Sequence, residues 1–343
     1  MNKEFNPNDP GTADSNIFGL PYTADEADLV LLPMPWEATV SYGAGTAAGP
    51  AAIFEASKQI DLFHPELEKV WLYKTSMLPV NEKIASLSNN TRNLVEKIIE
   101  QIVNGDEINA EELASVNLAS ADMIAYAENI CTEWLQKGKS VAMIGGDHST
   151  PLGLLKALAK KHTSFGVLQF DAHCDLRKAF EGFTYSHASI MYNVLNEVPA
   201  VSQLTQVGIR DFCAEEIDFI AANKNRVTVF FDRDNQYQKI EGSTWKTICE
   251  KIVETLPAEV FISFDIDGLS PELCPNTGTP VPGGMTFHEA TYLIDLVAKK
   301  RKIIGFDLNE VSPSENDEWD ANVGARLLFQ LCCAYRISQQ LSQ

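Results

Sequence analysis

Seven short apolar runs, separated by longer segments with helical periodicity, constrain this chain more than any other feature. The runs are 29–34, 140–144, 165–170, 204–209, 227–231, 260–264 and 302–308. Most are apolar throughout rather than alternating, the pattern of strands covered on both faces in a parallel sheet. Helix-like segments fall at 47–59, 91–103, 120–136, 151–160, 187–196, 214–222, 243–256, 286–299 and 322–340. Strand and helix alternate, which predicts a doubly wound α/β fold with a parallel sheet and right-handed crossovers. The 343 residues suit one large domain with no internal repeat or Pro/Gly/Ser linker. Residues 1–28 read as a polar N-terminal extension and 29–343 as the domain. The polar, Asn-rich stretch 79–119 reads as a helical excursion on its surface.

Three chemistry-bearing clusters follow three of the apolar runs. They are Gly145-Gly146-Asp147-His148-Ser149, Asp171-Ala172-His173-Cys174-Asp175 and Ser263-Phe264-Asp265-Ile266-Asp267-Gly268; Glu310 follows a fourth run. Ligands of open α/β sheets bind beyond the carboxyl ends of the strands, so these clusters are expected to converge on one crevice. In an extended chain residues i, i+2 and i+4 share a face, which points Asp171, His173 and Asp175 one way and turns Ala172 and Cys174 into packing. Two His and four Asp in one place suit a pair of divalent ions such as Mn²⁺. Such a site can turn water into hydroxide at neutral pH.

Composition narrows the partners. A net charge of −20 argues against nucleic acid, whose binders carry a basic patch, and mildly favours a cationic small molecule. No apolar run approaches the roughly 18–20 residues that cross a bilayer, and the polar N-terminus lacks a secretory pattern. Seven cysteines without framework spacing or a CxxC read as reduced thiols, which predicts a cytoplasmic protein. His64, His162 and His288 read as structural or solvated.

The clusters resemble those of the ureohydrolases, the arginase/agmatinase family of dinuclear manganese enzymes, over roughly residues 30–330. Tyr42-Gly43-Ala44-Gly45-Thr46, Gly208-Ile209-Arg210 and the loop Asn276-Thr277-Gly278-Thr279-Pro280-Val281-Pro282-Gly283-Gly284 share in the resemblance. Asp175-Leu176-Arg177 leading to Tyr185-Ser186-His187-Ala188 looks like the agmatinase branch. The resemblance implies an arginase-like fold and one metal held by His148, Asp171, Asp175 and Asp265. It implies a second held by His173, Asp171, Asp265 and Asp267, with Asp171 and Asp265 bridging. Glu310 matches a guanidinium-binding Glu and His187 a proton-shuttling His. The implied reaction splits a linear guanidino compound into urea and an amine, in a homo-oligomer (trimer or hexamer).

A guanidinium carbon is a poor electrophile, so neutral water needs metal activation to attack it. A carboxylate at Glu310 can accept paired, charge-assisted hydrogen bonds from that group, and an imidazole at His187 has the pKa for proton transfer. An Asp/His nest takes Mn²⁺ first, with Ni²⁺ and Co²⁺ as alternatives. Where arginases grip the amino-acid end of their substrate, this chain has Arg177 and Cys213, which ranks agmatine first. Guanidinobutyrate, arginine, guanidine and formimidoylglutamate follow. A carboxylate on the substrate becomes plausible if Arg177 faces the pocket. Metal-dependent deacetylases share the fold but carry a paired-His motif, absent here; a non-catalytic metal-binding relative would have lost a ligand.

Overall fold

The computed structural model describes residues 5–342. Eight strands form one sheet: β1 (Leu29–Met34), β2 (Thr75–Met77), β3 (Ser140–Gly145), β4 (Phe165–Phe170), β5 (Val201–Ile209), β6 (Val227–Phe231), β7 (Glu259–Asp265) and β8 (Lys302–Asn309). Their spatial order is β2-β1-β3-β8-β7-β4-β5-β6, and every pairing is parallel. The doubly wound α/β fold expected from the apolar runs is the fold observed. The four strands that precede the chemistry-bearing residues, β3, β8, β7 and β4, are adjacent at the centre of the sheet. Their carboxyl ends therefore open on a common edge.

The helices are α1 (Gly49–Ser57), α2 (Glu82–Asn104), α3 (Ala110–Gln136), α4 (Leu152–Ala159), α5 (Ile190–Glu197), α6 (Ala214–Ala222), α7 (Asp232–Ile240), α8 (Trp245–Glu254), α9 (Phe287–Lys300) and α10 (Trp319–Ser338). One core joins the sheet to α1, α8, α9 and α10; the other packs α3, α4 and α5 against the opposite face. Residues near the start take part as well. Ile17, Phe18 and Leu20 lie in the first core, with Phe18 edge-on to Phe329 at 5.5 Å.

The stretch 79–119 is helical, as expected, but longer and more ordered than its weak periodicity suggested. Asn81 caps α2 by accepting from the N–H groups of Lys83 and Ile84. Gly105, at φ 74°, ends that helix in the left-handed conformation that glycine adopts without strain. Asn109 caps α3 in the same way. The resulting hairpin has a small core of its own, where Val95, Ile98 and Val116 enclose Phe183. Two elements escaped the sequence reading. β2 is three residues long with one apolar side chain, and α7 is polar almost throughout, so neither carries a periodic signal.

Phe170 ends β4 and Phe264 is the last residue but one of β7, immediately before Asp171 and Asp265. Both are fully buried, and their rings stack at 4.7 Å with 14° between planes. Phe264→Ala is expected to cost about 3–5 kcal/mol of stability, as large-to-small core changes do. The loss is read as a fall in the midpoint of denaturant unfolding.

Candidate active site

Each strand delivers its polar residues at the point where the ladder ends. The β3 end turns through Gly145 and Gly146 because the space is already taken. A Cβ on Gly145 would collide with the side chains of Asn309 and Thr150, and one on Gly146 with the Trp36 carbonyl. Asp147 N–H then donates to Trp36 O (2.7 Å) and Glu310 N–H to Gly146 O (2.8 Å), which fixes His148 between the ends of β1 and β8.

The imidazole of His148 is held from behind. Its Nε2 lies 2.9 Å from Ser263 Oγ, and that hydroxyl donates onward to Asp307 (2.9 Å to Oδ2). Ser263 Oγ therefore accepts from Nε2–H, so that in the neutral imidazole Nδ1 carries the lone pair. Nδ1 is buried without a hydrogen-bond partner. It nevertheless sits 3.0 Å from Asp171 Oδ2, 3.0 Å from Asp175 Oδ2 and 3.3 Å from Asp265 Oδ2.

His173 repeats the arrangement, with Nδ1 3.0 Å from Asp267 Oδ2 and 3.5 Å from Asp171 Oδ1. Two groups with the ligand chemistry of a metal site result: His148, Asp171 and Asp265, and Asp171, His173 and Asp267. Asp171 belongs to both.

Backbone and side-chain donors orient the carboxylates. Asp171 Oδ1 accepts from His173 N–H (2.6 Å) and its Oδ2 from Gln169 Nε2 (2.7 Å). Asp265 Oδ1 accepts from Asp267 N–H and Asp267 Oδ1 from Ala172 N–H, both at 2.9 Å. Gln169 is itself gripped by Gln206 Nε2 (2.6 Å), which also donates to Cys174 O (2.7 Å). Arg210 donates to the carbonyls of Gly208, Asp267, Leu269 and Val281. It thereby ties the ends of β5 and β7 to the 276–284 loop.

One detail differs from the sequence reading. Asp175 does not share an extended face with Asp171 and His173, because its backbone turns left-handed at φ 54°. That turn brings its carboxylate to His148. Ala172 and Cys174 are buried in packing, as expected.

The electrostatics say what the cluster lacks. Burial raises Asp265 well above the ordinary carboxylate range, with Asp267 and Asp171 adding to it. Burial and Asp171 push Asp175 up to about 7. Burial and the nearby Asp147 raise Glu310 as well. Burial opposes charge on His148 too, yet the carboxylates of Asp171, Asp175 and Asp265 around its Nδ1 raise its pKa well above normal. For His173, burial is likewise overruled by Asp267 and Asp171, and the pKa rises to about 12. Both imidazoles thus sit where positive charge is demanded. A divalent cation fits that demand: Nδ1-to-oxygen separations of about 3 Å match the edge of an octahedron with bonds of about 2.1 Å. The His148–Ser263–Asp307 chain is the kind of support that orients a metal-bound His.

A pocket of about 160 Å³ opens over these groups, roomy enough for several waters. His148, His173, Asp175, Asp265, His187 and Glu310 all line it, together with Ser41, Arg177, Phe180, Asp211, Glu216 and Thr279. Of the residues singled out in the sequence, Asp171 and Asp267 lie behind this wall and the other six reach it. Glu310 has a left-handed backbone at φ 62°, and its Oε1 accepts from His148 N–H at 2.8 Å. Strain of this kind persists only where the surroundings enforce it. His187 is partly buried, with its N–H on Thr39 Oγ1 (3.3 Å); burial, reinforced by His173 and His148, lowers its pKa to about 4.

Arg177 faces the pocket. Its guanidinium lies over the Phe180 ring at 4.8 Å and its Nε 3.9 Å from Glu216. Both Glu216 oxygens are already engaged by Leu176 N–H and Cys213 N–H. Sequence reasoning missed Asp211, whose exposed carboxylate stands 4.0 Å from His173 Nε2, and missed Gln169, a polar residue inside an apolar strand. Asp211 adjoins the Arg210 of the matched Gly-Ile-Arg stretch, a position that could have flagged it. Of the remaining His, His64 Nδ1 accepts from Glu66 N–H, His162 pairs with Glu259 at 2.7 Å, and the His288 ring stands edge-on to Phe287 at 6.1 Å.

Comparison with known proteins agrees with this geometry. The family model described as "Arginase family" matches residues 27–333. The chain is 30% identical over 319 residues to the N(1)-aminopropylagmatine ureohydrolase of Thermus thermophilus, covering 91% of this chain and 92% of that protein. The protein of the same name from Synechocystis is 28% identical over 322 residues, with 92% and 91% covered. In fold, the chain superimposes on the agmatine ureohydrolase of Thermoplasma volcanium with a TM-score of 0.72 at 22% identity, covering 95% and 96% of the two chains. The chain belongs to the arginase family: it is an agmatinase-like ureohydrolase, a hydrolase of amidino C–N bonds.

Proposed function

We propose that this chain splits a linear cationic guanidine, agmatine first, into urea and an amine at a site holding two divalent ions, Mn²⁺ first. His148, Asp171, Asp175 and Asp265 would hold one ion, and His173, Asp171, Asp265 and Asp267 the other. Ni²⁺ and Co²⁺ remain alternatives for the same donor set. Bound there, the ions supply Lewis-acid activation of the attacking water at neutral pH. Residues 29–343 form the catalytic domain, and the protein acts on a small molecule as a cytoplasmic homo-oligomer, a trimer or hexamer.

The observation that carries this reading is Asp171 shared between two His/Asp groups, beside a pocket that Glu310 and His187 also line. With Oε1 fixed on His148 N–H, the Glu310 carboxylate cannot rotate freely. A guanidinium that donates to it in charge-assisted hydrogen bonds would be held in one orientation on the pocket floor beside His148. His187 lines the same pocket; neutral at pH 7 because burial lowers its pKa to about 4, it would relay to the departing amine the proton that the attacking water gives up, holding it only in passing. Asp211, exposed on the pocket wall, offers an anion for the ammonium of an agmatine tail. That relatives are named for N(1)-aminopropylagmatine supports testing that compound beside agmatine. A second reading rests on Arg177: its cation on the same wall favours a tail carboxylate, as in guanidinobutyrate.

Urea release by Mn²⁺-loaded protein from agmatine, N(1)-aminopropylagmatine, guanidinobutyrate, arginine and guanidine separates these readings. Urea from the agmatines alone is the expected outcome. Preference for guanidinobutyrate would transfer the tail contact from Asp211 to Arg177, and no urea from any of them would reject the reaction. Glu310→Ala is expected to lose turnover and keep its metal, whereas Asp265→Ala loses both; metal content and urea release are measured together. Asp307→Asn is expected to weaken metal affinity by about 10–100-fold, the usual cost of disturbing the group behind a ligating His. Metal titration of the apo protein checks it.

A further inference from the structure

The α2–α3 hairpin contributes no residue to the pocket lining, yet it holds two of the loops that wall the pocket. One is 36–45, which follows β1 and supplies Ser41; the other is 176–189, which follows β4 and supplies Arg177, Phe180 and His187.

The second loop is bent sharply. Ala179 and Glu181 are left-handed at φ 63° and 54°, and Gly182 follows at 86°. Non-glycine residues in that region are strained and need outside support. Support comes from α3: Asn117 Nδ2 donates to Gly182 O (3.3 Å), and Asn117 Oδ1 accepts from Thr184 N–H (2.8 Å). Between these two bonds Phe183 is fully buried among Val95, Ile98 and Val116 of the hairpin. A side-chain amide thus brackets the apolar anchor that ties the loop to the hairpin.

The first loop is held from α2. Ser88 Oγ accepts from Glu37 N–H (3.0 Å), and Arg92 Nη1 donates to Val40 O. Val40 lies between Thr39, the acceptor for His187 N–H, and Ser41 on the pocket wall. The charge of Arg92 also acts on Glu181 of the other loop, favouring ionisation against the burial that raises its pKa. The hairpin therefore touches the Thr39–His187 seam from both sides.

We propose that the α2–α3 hairpin sets the width of the substrate pocket, with Asn117 and Arg92 as positioning residues that seat Arg177, Phe180 and His187 against the 39–41 segment. This rests on the pocket being the guanidino site. The His and Asp residues grouped for metal sit at the strand ends, and none contacts Asn117 or Arg92 through a hydrogen bond. The two sets are separable by mutation.

The test compares Asn117→Ala and Arg92→Ala with Leu118→Ala, an exposed neighbour on α3 that serves as control. Hydrogen exchange of the Mn²⁺-loaded protein is read first. Amides of 176–189 in Asn117→Ala are expected to exchange about ten-fold faster, the scale of one or two lost hydrogen bonds, while β3, β4, β7 and β8 keep their protection and metal content is unchanged. Arg92→Ala is expected to do the same to 36–45. Steady-state urea release should then show KM raised about ten-fold, with kcat changed less because Thr39 still holds His187. Uniform loss of protection across the sheet, or unchanged protection and KM in both variants, overturns the proposal. Exchange confined to the loops in a protein that makes no urea would keep the buttress and reject the guanidino reading instead.

Discussion

A lone pair aimed at negative charge organises this molecule. His148 Nδ1 faces oxygens of Asp171, Asp175 and Asp265 at 3.0–3.3 Å with no hydrogen bond of its own. Groups packed this way repel unless positive charge, a proton on the imidazole or a metal cation, stands among them, because buried charges in a low dielectric are screened little. Everything around the cluster prevents its escape from that repulsion. Ser263 and Asp307 hold the imidazole from behind, backbone N–H groups hold the carboxylates, and Gln169 and Gln206 run a buried amide chain beneath Asp171. A site that a metal ion completes must be rigid enough to remain unfavourable without it.

That rigidity explains why the groups stand on the four central strands. A residue one step past a strand end inherits the position of a ladder fixed on both sides, and β3, β8, β7 and β4 are neighbours. Where the strand end alone misses the target, the backbone bends. Asp175 and Glu310 are both left-handed, an arrangement that costs of order 1–3 kcal/mol at a non-glycine residue. The folded sheet carries that cost in two large cores, one on each face.

What was legible in the sequence follows the same division. Strands covered on both faces leave continuous apolar runs, so β1, β3–β8 and their alternation with helices could be read directly. The Asp/His clusters stood out because polar residues directly after such runs have few structural reasons to be there. Asp175 lies beside His148 for a reason the sequence did not show: period-two geometry gives no hint of a left-handed turn. Gln169 was invisible, since one amide within Phe165–Phe170 looks like noise until its partners from β5 and the Asp171 carboxylate are seen. β2 and α7 lacked periodicity, and α2 began nine residues early because the Asn81 cap, not an apolar stripe, defines its start.

The substrate end of the pocket was the least legible part, for a physical reason. Activating water needs specific donor atoms at specific strand ends, and such a requirement leaves a pattern in the chain. Recognising a substrate tail needs only that some charge arrive at a suitable distance, and loops bring charge from many places. Here Asp211 comes from the loop after β5, Arg177 from the loop after β4 and Thr279 from the 276–284 loop. The opposite charges of Asp211 and Arg177 stand on one wall, and the position of each depends on how its loop is seated. Chemistry in this fold is therefore fixed by the sheet, while selectivity is set by whatever holds the loops.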